Sequence, residues 1–180
     1  RVLVSQRQAI VSSSDISDAT LELMVERAIA MAKDAPQDKH AGLASVNQLA
    51  KQRDLSELEI CDPATEPSPN KLQEQAEIAE SSAMEVVGVS QVSGASASYG
   101  KYSVFVAASN GFTANYDRSS NSVSCVAIAG EGSGMERDYD ADTRVYQSDL
   151  RPSDEIGRTA GLRAVERLTP RRPATGNYPV

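Results

Sequence analysis

The stretch Val104-Phe105-Val106-Ala107-Ala108-Ser109-Asn110-Gly111-Phe112-Thr113-Ala114-Asn115-Tyr116 decides how the middle of this sequence folds. Asn110 and Gly111 both tolerate the positive φ that a two-residue hairpin demands, and β-forming residues run away from them on either side. The dipeptide predicts a hairpin. From Glu85 to Ala129 the hydrophobic period is two rather than helical, with Val, Ser, Ala and Tyr grouped between Gly-bearing turns, as antiparallel strands require. The spacing predicts strands over residues 86–92, 95–99, 101–109, 112–117 and 122–129, with residues 118–121 as a second turn. A meander of at least three strands is expected.

Helical patterns flank this block. Ser68 as N-cap, Pro69 at the first helical position, and Leu72, Ala76, Ala79 and Ala83 at steps of four, three and four predict an amphipathic helix ending near Met84. Downstream, Ser153 is the expected cap of a helix with Asp154 and Glu155 in its first turn, Arg163 and Arg167 toward its end, and Pro170 beyond it. Ile156, Ala160, Ala164 and Leu168 share one face of that helix. Upstream, Arg1 to Ser5 reads as a strand that Ala9 to Ser12 can partner. Ser17 then caps a helix through Ala32, with Leu21, Met24, Val25, Ala28 and Ala32 on one face and Pro36 as its stop. Residues 37–54 are mixed and polar, with a helical turn around Val46 to Leu49, and residues 58–61 suggest a brief strand.

The expected fold class is α+β: an antiparallel β-sheet meander with amphipathic helices packed against it. Residues 1–180 are expected to form a single α/β domain, with a proline-rich connector at 62–69 inside it. With no Met at position 1, a strand-like opening and an extended finish at Asn177-Tyr178-Pro179-Val180, the chain is read as a piece of a longer protein.

Composition narrows the function. A chain of 180 residues that is 40% hydrophobic and 24% charged suits a soluble globular domain and excludes a disulfide miniprotein, collagen and a wholly disordered chain. Lys and Arg number 18 against 25 Asp and Glu, a net charge of −7, and no basic face is interleaved with aromatics, which argues against direct nucleic-acid binding. No run of about 18 apolar residues is present to span a bilayer, and Arg1 to Ser5 lack the apolar segment of a signal peptide. A cytoplasmic protein is therefore expected.

The motifs that carry chemistry are sparse. Gly130, Gly132 and Gly134 follow a strand, but the third Gly is misplaced for GxGxxG and no helix opens there, so a flexible exit from the sheet is preferred to a phosphate loop. Asp138, Asp140 and Asp142 alternate like the first ligands of a calcium loop. The sixth position would be Thr143 rather than Gly and the twelfth Asp149 rather than Glu, so acids on the solvent face of an edge strand or loop are the preferred reading. His40 is the only histidine, which excludes HExxH and any two-histidine dyad. Cys61 and Cys125 lack CxxC spacing and read as ordinary thiols, with a pairing of either to His40 as the catalytic alternative. Gly157 and Gly161 are expected to let their helix approach the sheet closely. No catalytic, cofactor-binding or metal residue is assigned.

Several ordered segments carry a family resemblance: Ser109-Asn110-Gly111-Phe112, Gly130 through Asp140, Ile156-Gly157-Arg158-Thr159-Ala160 and Thr175 through Val180. Upstream, Arg7-Gln8-Ala9, Ser12 through Asp15 and Ala32 through Asp38 fit the same pattern. The chain resembles the TldD/PmbA family, also labelled modulator of DNA gyrase, and is more similar to its PmbA/TldE branch. The resemblance implies the N-terminal domain of a longer two-domain protein. It also implies a noncatalytic subunit of a zinc-dependent metalloprotease complex that processes or degrades small unfolded peptides. Zinc would lie in a TldD-type partner through an HExxxH motif that this chain lacks, so no cofactor is expected here. The expected partners are that paralogue in a hetero-oligomer, with self-association left open, and short or unfolded peptides. The alternative is a regulatory module acting indirectly on DNA gyrase by binding a protein rather than DNA. Whether the chain belongs to an enzyme is left open.

Overall fold

The computed structural model describes residues 1–179. The element order is β1 (Val2–Val4), β2 (Arg7–Ala9), α1 (Asp18–Asp34), α2 (Pro69–Met84), β3 (Val89–Ala107), β4 (Thr113–Ala129), β5 (Glu136–Arg144) and α3 (Ser153–Glu166), with short 3-10 turns between them. The architecture is α+β, with one two-stranded and one three-stranded antiparallel sheet, as the sequence pattern requires. The backbone divides into two compact units, residues 1–52 with 107–113, and residues 53–106 with 114 onward.

In the first unit, β1 and β2 form a tight antiparallel hairpin pairing Val2 with Ala9 and Val4 with Arg7. Ser5 and Gln6 both take positive φ, the twist that two-residue hairpin turns need. The returning strand thus comes at residues 7–9, earlier than the expected 9–12, because the turn follows Val4 directly. Helix α1 packs on both strands. The Arg7 guanidinium donates to the carbonyls of Lys33 and Ala35 at 2.9 and 2.6 Å, satisfying acceptors that the helix C-terminus leaves open. Only Ala28 and Ala32 of α1 are buried, whereas Leu21 and Val25, expected in the core, are 44% and 55% exposed. Two three-residue strands are too short to cover a 17-residue helix. Val46–Gln48 forms the expected turn, as a single 3-10 turn capped by Ser45.

In the second unit, α2 starts and ends where the spacing predicts, with the Ser68 hydroxyl accepting from the Lys71 N–H. The sheet has the order β3-β4-β5. The strands differ from expectation in length: the pieces expected over 86–109 are one 19-residue strand, and those over 112–129 one 17-residue strand. Gly94 and Gly100 do not break β3, and residues 118–121 are the middle of β4, not a turn. Ser119 and Asn121 stay in the ladder because buried partners satisfy their side chains. At the hairpin tip, Ala108 N–H donates to Phe112 O at 2.9 Å and Gly111 N–H to Ala108 O at 3.1 Å. The loop is therefore three residues long, with positive φ at Gly111 alone, and Asn110 instead accepts from the Phe112 N–H. Residues 58–61 form no strand; a 3-10 turn occupies Ser56–Leu58, and Ile60 O accepts from the Ser119 N–H.

Along β4, Ser119, Asn121, Val123, Cys125, Ala127 and Ala129 alternate as the buried face, and Val123 through Ala129 pack with Ala79 and Ala83 of α2 and Ile156, Ala160 and Ala164 of α3. The core side chains are small because the helices come close together. A Cβ on Gly157 would lie 1.9 Å from Ala79 O, and one on Gly161 2.8 Å from a Val86 methyl. These glycines let α3 approach α2, not the sheet as expected. Helix α3 begins at Ser153 with Pro152 in the cap position, one residue before the expected cap.

Candidate functional site

The three-stranded sheet ends in two very different edges. Strand β3 is one of them: its 19 residues carry a single charge, Lys101, and no proline. The N–H and C=O groups of every second residue of an edge strand point outward unpaired, and proteins ordinarily blunt such edges with charge, proline or a covering element. Within β3 itself, Lys101 is the only such guard. Toward the hairpin tip its side chains are also open, with Tyr102 at 63% and Phe105 at 78% exposure. This edge can pair with another extended chain through main-chain hydrogen bonds, with little demand on sequence.

Strand β5 is the opposite edge, and six of its nine residues are charged. Its register sets Asp138 opposite Ala127, Asp140 opposite Cys125 and Asp142 opposite Val123, so the carboxylates share the helix-facing side of the sheet. Arginines take them all up. Arg151 Nη2 donates to Asp140 Oδ2 at 2.7 Å and Arg163 Nη1 to Asp140 Oδ1 at 2.9 Å, while Arg167 pairs with Asp138. Asp142 accepts from the Arg151 N–H at 2.9 Å and pairs with Arg144 at 3.1 Å. The Arg167 guanidinium, with help from the Tyr139 N–H, holds the Asp138 carboxyl below the usual carboxylate range. The Arg151 N–H does the same for Asp142. The aspartates face α3 rather than solvent, which corrects the sequence reading, and their lone pairs are occupied by cations rather than offered to calcium. Arginines 163 and 167, read in the sequence only as partners of the helix dipole, are the second half of this ladder.

A buried polar knot joins the connector to the sheet. Asp62 N–H donates to Ser119 Oγ at 2.7 Å, Ser119 Oγ donates to Val145 O, and Asn121 Nδ2 reaches the same carbonyl at 2.8 Å. The Asp62 carboxylate accepts from the N–H groups of Gln147 and Ala64, which lower its pKa. Beside the knot, an open pocket of about 400 Å³ is lined by residues 53–56, 59–61, 63, 115–117 and 146. Nothing in the spacing of these residues announced the pocket, because β4 and two loops distant in sequence supply its walls.

The remaining sequence candidates sit apart. His40 is exposed and belongs to the first unit, whereas Cys61 and Cys125 belong to the second, so neither unit holds a Cys–His pair. Burial, followed by the nearby Glu80 charge, pushes the Cys125 thiol up to about 11, which makes it a packing residue rather than a nucleophile. Gly130 and Gly132 take positive φ in the loop between β4 and β5, and a 3-10 turn at Gly132–Gly134 follows in place of a helix N-terminus. Among the described residues no group of three His, Cys, Asp or Glu could hold a metal ion, and no helix is long and apolar enough to cross a membrane.

Residues 14–168 match the PmbA/TldA metallopeptidase central domain. The chain belongs to the PmbA/TldD metallopeptidase family. It is 32% identical over 176 residues to the metalloprotease PmbA of Escherichia coli, covering 97% of this chain and 38% of that protein. The metalloprotease PmbA homolog of Haemophilus influenzae is 28% identical over 180 residues, 99% of this chain and 39% of its own length. The chain thus spans less than half of the relatives it matches. In fold it is similar to a crystal structure from Bacteroides thetaiotaomicron that carries the name modulator of DNA gyrase, with a TM-score of 0.79 and 22% identity over 94% of this chain and 39% of that one. TldE from Thermococcus kodakarensis gives a TM-score of 0.59 and 18% identity over 91% of this chain and 35% of its own.

Proposed function

We propose that this chain is part of a noncatalytic PmbA/TldE-type subunit of a zinc-dependent peptidase complex, in which a TldD-type paralogue carries the metal and the open β3 edge receives extended peptide. Membership of a metallopeptidase family, with relatives named PmbA and a fold like that of TldE, supports placing this chain on the PmbA/TldE side of such a complex. The observation that carries the substrate role is the unguarded β3 edge. A peptide laid along it would exchange main-chain hydrogen bonds with β3, which fixes the peptide in extended form and leaves its side chains unselected, a mode suited to unfolded substrates. Zinc held by the partner would supply an activated water, and this chain would contribute orientation.

The test is hydrolysis of a short unstructured peptide by the full-length protein, alone and mixed with a TldD-type paralogue, with and without a zinc chelator. Chelator-sensitive cleavage in the mixture only is expected. Cleavage by this protein alone overturns the noncatalytic assignment, and photo-cross-linking of peptide to the paralogue but never to β3 overturns the edge role. A second reading, a regulatory module that engages a gyrase-associated protein, is favoured by the name that the Bacteroides structure carries. A net charge of −7 directs that reading to a protein partner rather than to DNA. Silence in every peptidase arm would select it.

A further inference from the structure

The first unit has almost no interior of its own. Among the described residues its buried apolar side chains are Ala9, Ala28 and Ala32, whereas Ile10, Ile16, Leu21, Val25 and Val46 all stand exposed. A stretch of chain this long ordinarily buries large aliphatic side chains to offset the entropy of ordering its backbone, and three alanines fall far short of that. The shortfall is concentrated on α1. The β1–β2 hairpin packs on this helix, and Arg7 fastens it to the helix C-terminus through the Lys33 and Ala35 carbonyls. From buried Ala32 and Ala28 the apolar stripe continues at helical spacing through Val25, Met24 and Leu21, and there it opens to solvent. A helix of 17 residues runs about 25 Å against about 10 Å for a three-residue strand, so the hairpin reaches less than half of it. The order β1-β2 leaves each strand one unpaired edge, and an open cavity of about 710 Å³ flanks β1, lined in part by Val2, Leu3, Leu43 and Ala107.

We infer that the open stripe of α1 docks further β-strands of the same, longer polypeptide, which add to the β1–β2 sheet and carry it along the helix. Continuity with a contact already present selects this occupant. Residues 14–168 match the family's central domain, so α1 lies inside that domain while β1 and β2 lie outside it. The packing of α1 on the hairpin is therefore a contact between the central domain and flanking chain, and the open stripe is the same helix face one and two turns further on. The relatives have the chain to supply it, since this one covers 38% and 39% of their lengths. The surface also sets the occupant's chemistry. Leu21, Met24 and Val25 carry no charge, so the docking strands present apolar residues at alternate positions, and their main chain pairs with the outward N–H and C=O groups of β1 or β2. A two-stranded ribbon is marginal alone, and a third strand over an apolar helix face makes it stable. This inference is independent of the peptidase reading and fails separately from it.

In the full-length protein, Val25→Cys puts a thiol on the stripe and Ala30→Cys puts one on the opposite, exposed side of α1. Maleimide labelling, read at each position by peptide mass spectrometry so that Cys61 and Cys125 do not interfere, is expected to be slower at 25 than at 30 by on the order of tenfold or more. The difference should hold for the protein alone and at every protein concentration. A photoreactive leucine at position 21 leaves the stripe chemically unchanged and is expected to cross-link to a segment of the same chain outside residues 1–180. Mixing isotope-labelled with unlabelled protein separates links within one chain from links between copies. Fast labelling at both positions, or protection at both, overturns the inference. Protection that develops only when a TldD-type paralogue is added, or only as concentration rises, with cross-links to match, assigns the stripe to that paralogue or to a second copy and overturns it equally. Cross-links confined to residues 1–180 would do the same.

Discussion

The two edges of one sheet are built on opposite plans. Strand β5 places six charges in nine residues and turns three carboxylates toward α3: Arg151 and Arg163 clamp Asp140, Arg167 takes Asp138, and Arg144 with the Arg151 N–H holds Asp142. Strand β3 places one charge and no proline in 19 residues. The closed edge costs specificity of sequence, since each aspartate needs an arginine at a fixed place in β5 or in and around α3. The open edge requires only that nothing obstruct it. In the peptide-receiving role proposed above, one guarded edge and one open edge would limit pairing to a single side of the sheet.

The comparison can be broken most forcefully at the seat of α3. Gly157→Ala inserts a methyl 1.9 Å from Ala79 O, so α3 must lift from α2 and uncover β5. A loss on the order of 3 kcal/mol is expected, read from the urea unfolding midpoint. An unchanged midpoint would mean that the helices are not so closely packed. Next comes Asp140→Asn, which leaves Arg151 and Arg163 without their shared buried carboxylate and should cost about 2 kcal/mol, while the same change at exposed Asp154 should cost almost nothing. Equal effects at the two positions would dissolve the ladder as a structural device.

Acidification offers a milder break. Asp138 and Asp142 have folded pKa values below their unfolded ones, so their ionised forms contribute stability above the ordinary carboxylate range, and that stability is lost as pH falls through the depressed values. Amide exchange, corrected for its intrinsic pH dependence, should show β5 losing protection ahead of β3 as the pH drops below about 4. Protection lost first at β3 would reverse the assignment of the two edges. The smallest effect on stability, within about 0.5 kcal/mol, is expected from the paired changes Ser93→Lys and Ser98→Lys, both at exposed β3 positions. These charges should nonetheless reduce peptide cross-linking to β3. Undiminished cross-linking would move the peptide elsewhere.

Local signals made much of this molecule legible. Ser68 and Pro69 fixed the start of α2 because cap and first-turn preferences are properties of neighbouring residues alone. The Asn110-Gly111 turn was visible for the same reason, although its three-residue form was not, since loop length is set by how the strands pair. Strand lengths were misread where Gly94, Gly100 and the polar run at 118–121 looked like interruptions. A polar side chain breaks a strand only if its hydrogen bonds go unmet, and the partners of Ser119 and Asn121 come from residue 145. The spacing of Asp138, Asp140 and Asp142 was visible too, yet their role depended on arginines up to 29 residues away in sequence.

The sequence by itself determined the α+β class, the helix limits of α2, the central hairpin and the family, because each depends on short-range pattern or on ordered motifs along the chain. Only the tertiary structure decided which edge is guarded, which face the aspartates occupy, that Gly157 and Gly161 seat one helix on another, and that residues 53–56, 59–61, 63, 115–117 and 146 line one open pocket. Those outcomes depend on register and helix approach, which are set by how whole elements exclude water and satisfy buried charge together, and no local stretch of sequence encodes them alone.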